Sequence, residues 1–91
     1  MKITVTYFAR PGRREEFLHR VVTAGILSAI REEDGCLRYD YYLSCQNEEE
    51  ILLLEEWESE AHQRLHMEQE HRKRHLDFKY DCSDETRVQK D

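Results

Sequence analysis

The spacing of apolar residues changes along this chain, and that change limits the fold more than any other feature of the sequence. Over residues 2–9 the residues alternate, with Ile3, Val5 and Tyr7 on one side and Thr4, Thr6 and Phe8 on the other. A period of two belongs to a strand with one face more buried. Arg10-Pro11-Gly12 stops it, because Pro donates nothing to a ladder and Pro-Gly is turn chemistry. From Arg13 to about Glu33 the period lengthens. Leu18, Val22, Ile26 and Ile30 recur every fourth residue, with Phe17 and Val21 beside them, which predicts one amphipathic helix. Gly25 lies inside it, costs about 1 kcal/mol relative to Ala, and marks a kink or a close approach. Gly35, after Asp34, suits the left-handed position beyond a helix C-terminus.

Alternation then returns over residues 36–45. Leu37, Tyr39, Tyr41 and Leu43 share one face; Arg38, Asp40, Tyr42 and Ser44 share the other. Gln46 to Glu49 form a polar turn, and Ile51 to Trp57 read as a central strand buried on both faces. Two strands joined by so short a turn predict an antiparallel hairpin. Ser59 is a good N-cap and Glu60 follows in the first turn, where the helix dipole favours an anion. The helical stretch to about Lys79 is very polar, with a break expected near Gln69-Glu70. In the tail, Thr86-Arg87-Val88 suggests a short edge strand. The order β-α-β-β-α-β is the split βαβ pattern, an α+β ferredoxin-like fold with an antiparallel sheet.

A chain of 91 residues is expected to form a single domain spanning residues 1–91. So small a domain buries only about 60–65% of its unfolded surface, so an oligomer is expected. The net charge of −6 repels phosphate backbones and argues against nucleic acid. No apolar run approaches about 18 residues, so no membrane span is expected. The alternating start lacks a signal peptide's apolar stretch. Three cysteines, an odd number without a CxxC pair, fit inert thiols in a reducing cytoplasm.

Three pieces of the sequence, in order, resemble the antibiotic biosynthesis monooxygenase (ABM) domain family, in its quinol-monooxygenase-like form. Glu33-Asp34-Gly35-Cys36-Leu37-Arg38-Tyr39 resembles its E-x-G-C-x-x-Y joint. Glu55-Glu56-Trp57-Glu58-Ser59, followed by Ala61, His66 and His71, resembles its E-x-W-x-S … A … H … H block, and Arg10-Pro11-Gly12 with Phe17 resembles its first turn and helix. The resemblance covers about residues 1–75. It implies two subunits paired sheet to sheet as a dimeric α/β barrel, each with a small-molecule pocket between sheet and helices. Family members include cofactor-free monooxygenases, haem-degrading oxygenases and autoinducer-processing relatives, so the reaction must be argued from the site.

The resemblance places His66 and His71 at the pocket end. There an imidazole titrating near neutrality would bind a phenolic substrate or take its proton; otherwise the two cap helix ends or sit at the subunit interface. Glu55 and Trp57 point to one face of their strand. Either Trp57 walls the pocket while Glu55 orients the substrate, or Trp57 is core and Glu55 pairs with Arg38. Tyr7, Tyr39 and Tyr41 would wall a pocket for a planar aromatic ligand, or pack between subunits. The candidate set is thus His66 and Glu55 as catalytic residues and Tyr7, Tyr39, Tyr41, Trp57 and His71 as substrate-binding ones. His62 with His66, and His71 with His75, have the i, i+4 spacing of metal ligands, but no Cys or nearby carboxylate completes a set, and no metal is expected. Haem-degrading relatives carry Asn on the first strand and Trp on the second helix; here Tyr7 and His66 stand there. No nucleotide or flavin fingerprint occurs, so no cofactor is expected. Three functions follow: a cofactor-independent monooxygenase acting on a quinol or other small electron-rich phenol, an isomerase of small carbonyl compounds, or a dimeric ligand-binding module without activity.

Overall fold

A computed structural model describes residues 1–90. The elements are β1 (Lys2–Ala9), α1 (Arg14–Thr23), α2 (Ile26–Arg31), β2 (Cys36–Leu43), β3 (Glu50–Trp57), α3 (Glu60–Met67), α4 (Glu70–Cys82) and β4 (Ser83–Lys90). The strands form one antiparallel-paired sheet in the order β2-β3-β1-β4. This is the α+β ferredoxin-like arrangement that the period changes predict.

Alternation decides which face of the sheet is covered. Ile3, Val5, Tyr7 and Ala9 of β1 and Ile51, Leu53, Glu55 and Trp57 of β3 are buried on one face. Tyr39 joins them from β2, opposite Glu55. The helices supply Phe17, Val21, Ile26 and Ile30 to the same core. The other face is only half-covered: Thr4, Thr6, Phe8, Leu52 and Leu54 are intermediate. The expectation that β3 is buried on both faces therefore fails for the single chain, because no helix among the described residues crosses the second face.

The long first helix is two helices. Gly25 adopts φ 74°, in the left-handed region, and caps α2. That break shifts the helical phase, so Ile26 and Ile30 point inward with Phe17 and Val21 while Val22, expected in the stripe, is 57% exposed. The second helical stretch also divides, at Glu68-Gln69, close to the expected break. Ser59 caps α3 as expected, its hydroxyl accepting from the His62 amide at 3.2 Å.

Gly35 has φ 82°, and a Cβ there would meet the His62 ring at 2.3 Å. Only glycine fits both the backbone and the approach, so the joint before β2 is anchored against α3. The last strand is longer than Thr86-Arg87-Val88 alone. It pairs with β1 from Ile3↔Lys90 to Ala9↔Ser83. Two register irregularities, at Phe8/Ala9 and at Cys36/Arg38, bend the sheet ends and leave Leu37 exposed. No helix among the described residues is long and apolar enough to cross a membrane.

Candidate active site

Between the sheet and helices α3 and α4 lies a cavity of about 360 Å³. Its floor is Val5, Tyr7, Tyr39 and Glu55 from the covered sheet face. Its roof is His66 from α3 with Arg72, His75 and Lys79 from α4, and β4 contributes Val88 and Lys90 at one side. The sequence explains the hollow. Helix α4 buries His75 and Cys82 rather than large aliphatic residues, so nothing fills the space beneath it.

His66 is 4% exposed and lies against Trp57, ring centroids 4.7 Å apart, and against Tyr39 at 5.8 Å. Its Nδ1–H donates to Glu33, 2.9 Å from Oε2 and 3.1 Å from Oε1. The Nε2–H of His71 donates to the same Oε2 at 2.7 Å. Glu33, from the joint after α2, thus fastens the end of α3 to the start of α4. With Nδ1 engaged, Nε2 of His66 is the ring nitrogen left for a guest in the cavity. Burial holds the His66 pKa below its ordinary value, against the opposing pull of Glu33. The ring is therefore neutral near pH 7 and its free nitrogen is basic.

Glu55 accepts from Trp57 Nε1 at 3.0 Å, not from Arg38, which pairs with Asp40 at 3.0 Å and reaches Tyr42. Burial raises the pKa of Glu55 despite that bond. Burial also raises Tyr7 and Tyr39, so their hydroxyls stay protonated. Tyr41 donates to the neutral His75 ring, 2.6 Å from Nε2. Burial pushes His75 down to about 3, and neighbouring His66, Lys79 and Arg72 push the same way.

Of the residues singled out from sequence, Tyr7, Tyr39, Glu55 and His66 line the cavity together. Tyr41, Trp57 and His71 stand behind it, bonded to His75, Glu55 and Glu33 respectively. Sequence reasoning named Glu33 only within the E-x-G-C-x-x-Y joint, gave no site role to Arg72 or Lys79, and saw His75 only as a candidate metal ligand. Arg72, His75, Leu76 and Lys79 are spaced i, i+3, i+4 and i+7, a signal that was available for one helix face. The i, i+4 histidine pairs do not act as pairs. Instead Glu33 supplies the carboxylate that seemed missing: donor atoms of Glu33, His66 and His71 lie within 4.8 Å of one another, a set able to hold a divalent cation.

The profile of the family described as antibiotic biosynthesis monooxygenase matches residues 1–77. The chain belongs to that family. No curated protein matches it. A Pseudomonas aeruginosa protein of known structure is 25% identical, with a TM-score of 0.83 over 97% of this chain and 87% of that one. A conserved protein from Methanosarcina mazei Go1 is 26% identical, with a TM-score of 0.83 over 97% and 86%. A structure described as an antibiotic biosynthesis monooxygenase is 22% identical, with a TM-score of 0.82 over 96% and 90%, and attests the fold. Within this ABM chain, the matched residues include Glu33, Glu55, His66 and His71, while part of α4 and all of β4 lie beyond them.

Proposed function

We propose that this protein is a cofactor-independent monooxygenase acting on a quinol or similar electron-rich phenol. The observation that carries the reading is the Glu33–His66 pair at 2.9 Å in the roof of a cavity floored by Tyr7 and Tyr39. The substrate ring lies against the tyrosines. His66 Nε2 accepts a phenolic proton, and Glu33 stabilises the imidazolium that forms. The phenolate reduces dioxygen, and recombination at a ring carbon gives a hydroperoxide. His66, having passed its proton to the peroxide, takes the C–H proton from that carbon as the O–O bond breaks; the inner oxygen stays as a carbonyl and the outer leaves as water, so a quinol and O₂ become a hydroxyquinone and water. Glu55, whose burial favours the protonated acid, supplies the proton to the departing oxygen.

Under air containing ¹⁸O₂, the product should carry one labelled atom, and oxygen removal should stop turnover. His66→Ala should lose about 10²–10⁴-fold in kcat. Equal turnover with and without oxygen would sink the oxygenase reading. Solvent deuterium entering the product without oxygen consumption would instead assign the same base to carbonyl isomerisation.

The working unit is a pair of subunits joined through the half-covered sheet face. Phe8, Leu52 and Leu54 offer apolar area there, with Arg87 stacked 5.0 Å from the Phe8 ring. A lysine at the centre of that face would bring an unpaired charge into the joint. Leu54→Lys should therefore give monomers in sedimentation velocity where the parent chain gives dimers. An unchanged sedimentation coefficient would remove this face from the assembly.

A further inference from the structure

The chain carries net negative charge, yet the cavity is lined the opposite way. Its lining carries three cations, Arg72, Lys79 and Lys90, against one carboxylate, Glu55. Glu55 is already held by Trp57, and its burial works against ionisation. Of the other cations on the same elements, Lys73 pairs with Glu70 at 3.2 Å and Arg87 with Glu85 at 3.1 Å, while Arg74 is exposed and lies outside the cavity lining. Among the described residues, neither Arg72 nor Lys79 has a carboxylate within ion-pair reach.

Arg72 and Lys79 are seven residues apart on α4, two turns along one face, with His75 between them. Arg72 lines the same cavity as Tyr7, Glu55, His66 and His75, and its charge acts on all four. Lys90 acts on Glu55 from the β4 side. Partial burial and the charge of Arg72 both weaken protonation of Lys79. Two like charges share one wall at a cost, and a bound anion would relieve it.

We propose that the cavity takes an aromatic ligand bearing an anionic group, a carboxylate or a phosphate, with the ring against Tyr7 and Tyr39 and the anion between Arg72 and Lys79. This rests on the same site as the oxygenase reading and narrows its substrate to an acidic phenol. Arginine supplies two parallel donors to either oxyanion, and lysine adds a movable charge. A neutral quinol leaves both cations without an anion, Lys79 keeping only the face of the Tyr80 ring 5.0 Å away.

The test is calorimetric binding at pH 7 of gentisate (a carboxylated hydroquinone), hydroquinone monophosphate and hydroquinone itself. At least one of the anions should bind about tenfold or more tightly than hydroquinone, as expected for charge-assisted hydrogen bonds in a sheltered site. The gentisate and phosphate arms decide which oxyanion is meant. The advantage should shrink between about 50 mM and about 500 mM salt. The double variant Arg72→Gln, Lys79→Gln should abolish it, so that the anions bind this variant no more tightly than hydroquinone does. If that variant does not fold, Arg72→Lys with Lys79→Arg, which keeps both charges, should retain the preference for the anion. Equal affinity for hydroquinone and both anions, no binding of either anion, or a preference that survives loss of both charges would overturn the proposal. Turnover separates the two readings: anion binding that persists without oxygen-dependent chemistry leaves this inference standing and removes the oxygenase.

Discussion

Helices α1 and α2 bury Phe17, Val21, Ile26 and Ile30 against the sheet, whereas α3 and α4 bury Gln63, His66, His75 and Cys82 against the same sheet. The first pair is close-packed: Phe17 sits 5.5 Å from Tyr7 and 6.0 Å from Tyr41, ring centre to ring centre. The second pair is held by hydrogen bonds, through Glu33 to His66 and His71 and through Tyr41 to His75. Apolar side chains collapse until no gap remains, but polar ones stop where their bonds are satisfied. The hollow follows from that difference. One half of the helical layer supplies stability, and the other keeps space open and sets the charge within it.

Three substitutions test the division. Phe17→Ala, in the close-packed half, should cost about 3–5 kcal/mol in denaturant unfolding. A loss below about 1 kcal/mol there would mean that the apolar half does not carry the fold. His75 tests the polar half through pH. Its folded pKa of about 3 lies below its ordinary value of 6.5, so the unfolded chain takes up the proton first. The stability tied to this neutral ring is complete above pH 6.5 and declines as pH falls toward 3. By pH 5 the decline should be about 2 kcal/mol. His75→Phe gives up the bond from Tyr41 but should flatten that part of the acid curve relative to the parent. Parallel curves for the two proteins would show that His75 is solvated. The smallest effect belongs to Val22→Ala, which should change stability by less than about 0.5 kcal/mol because the side chain faces water. A larger loss would return Val22 to the core stripe.

The legible parts of this molecule were those that depend on neighbours in sequence. Alternation found β1, the β2–β3 hairpin and the covered face carrying Tyr7, Tyr39 and Glu55. Ser59 and the polar run at Gln69 located the edges of α3 and α4. The phase of α2 was not legible, because a glycine in a helical pattern signals a kink or a break equally, and only the break turns Val22 outward. The extent of β4 was hidden by its polar composition, since an edge strand is specified by its partner more than by its own residues. In the candidate site, His66 and Glu55 stood out by type and position. Glu33 did not, because a glutamate at the end of a helix is ordinary until the fold brings two imidazoles to it. Arg72 and Lys79 looked like the rest of a charged helix, and only the uncovered space beneath them sets them apart.

Strand β1 is one of the two central strands of the sheet, with Ile3 joined to Glu55 on one side and to Lys90 on the other. Its partners are distant in sequence, so the loop entropy of both closures must be met before either ladder forms. A ribosome therefore releases this segment long before anything exists for it to pair with. Newly made chains will spend that interval with an unsatisfied apolar ribbon, and refolding from denaturant will be slow for the same reason.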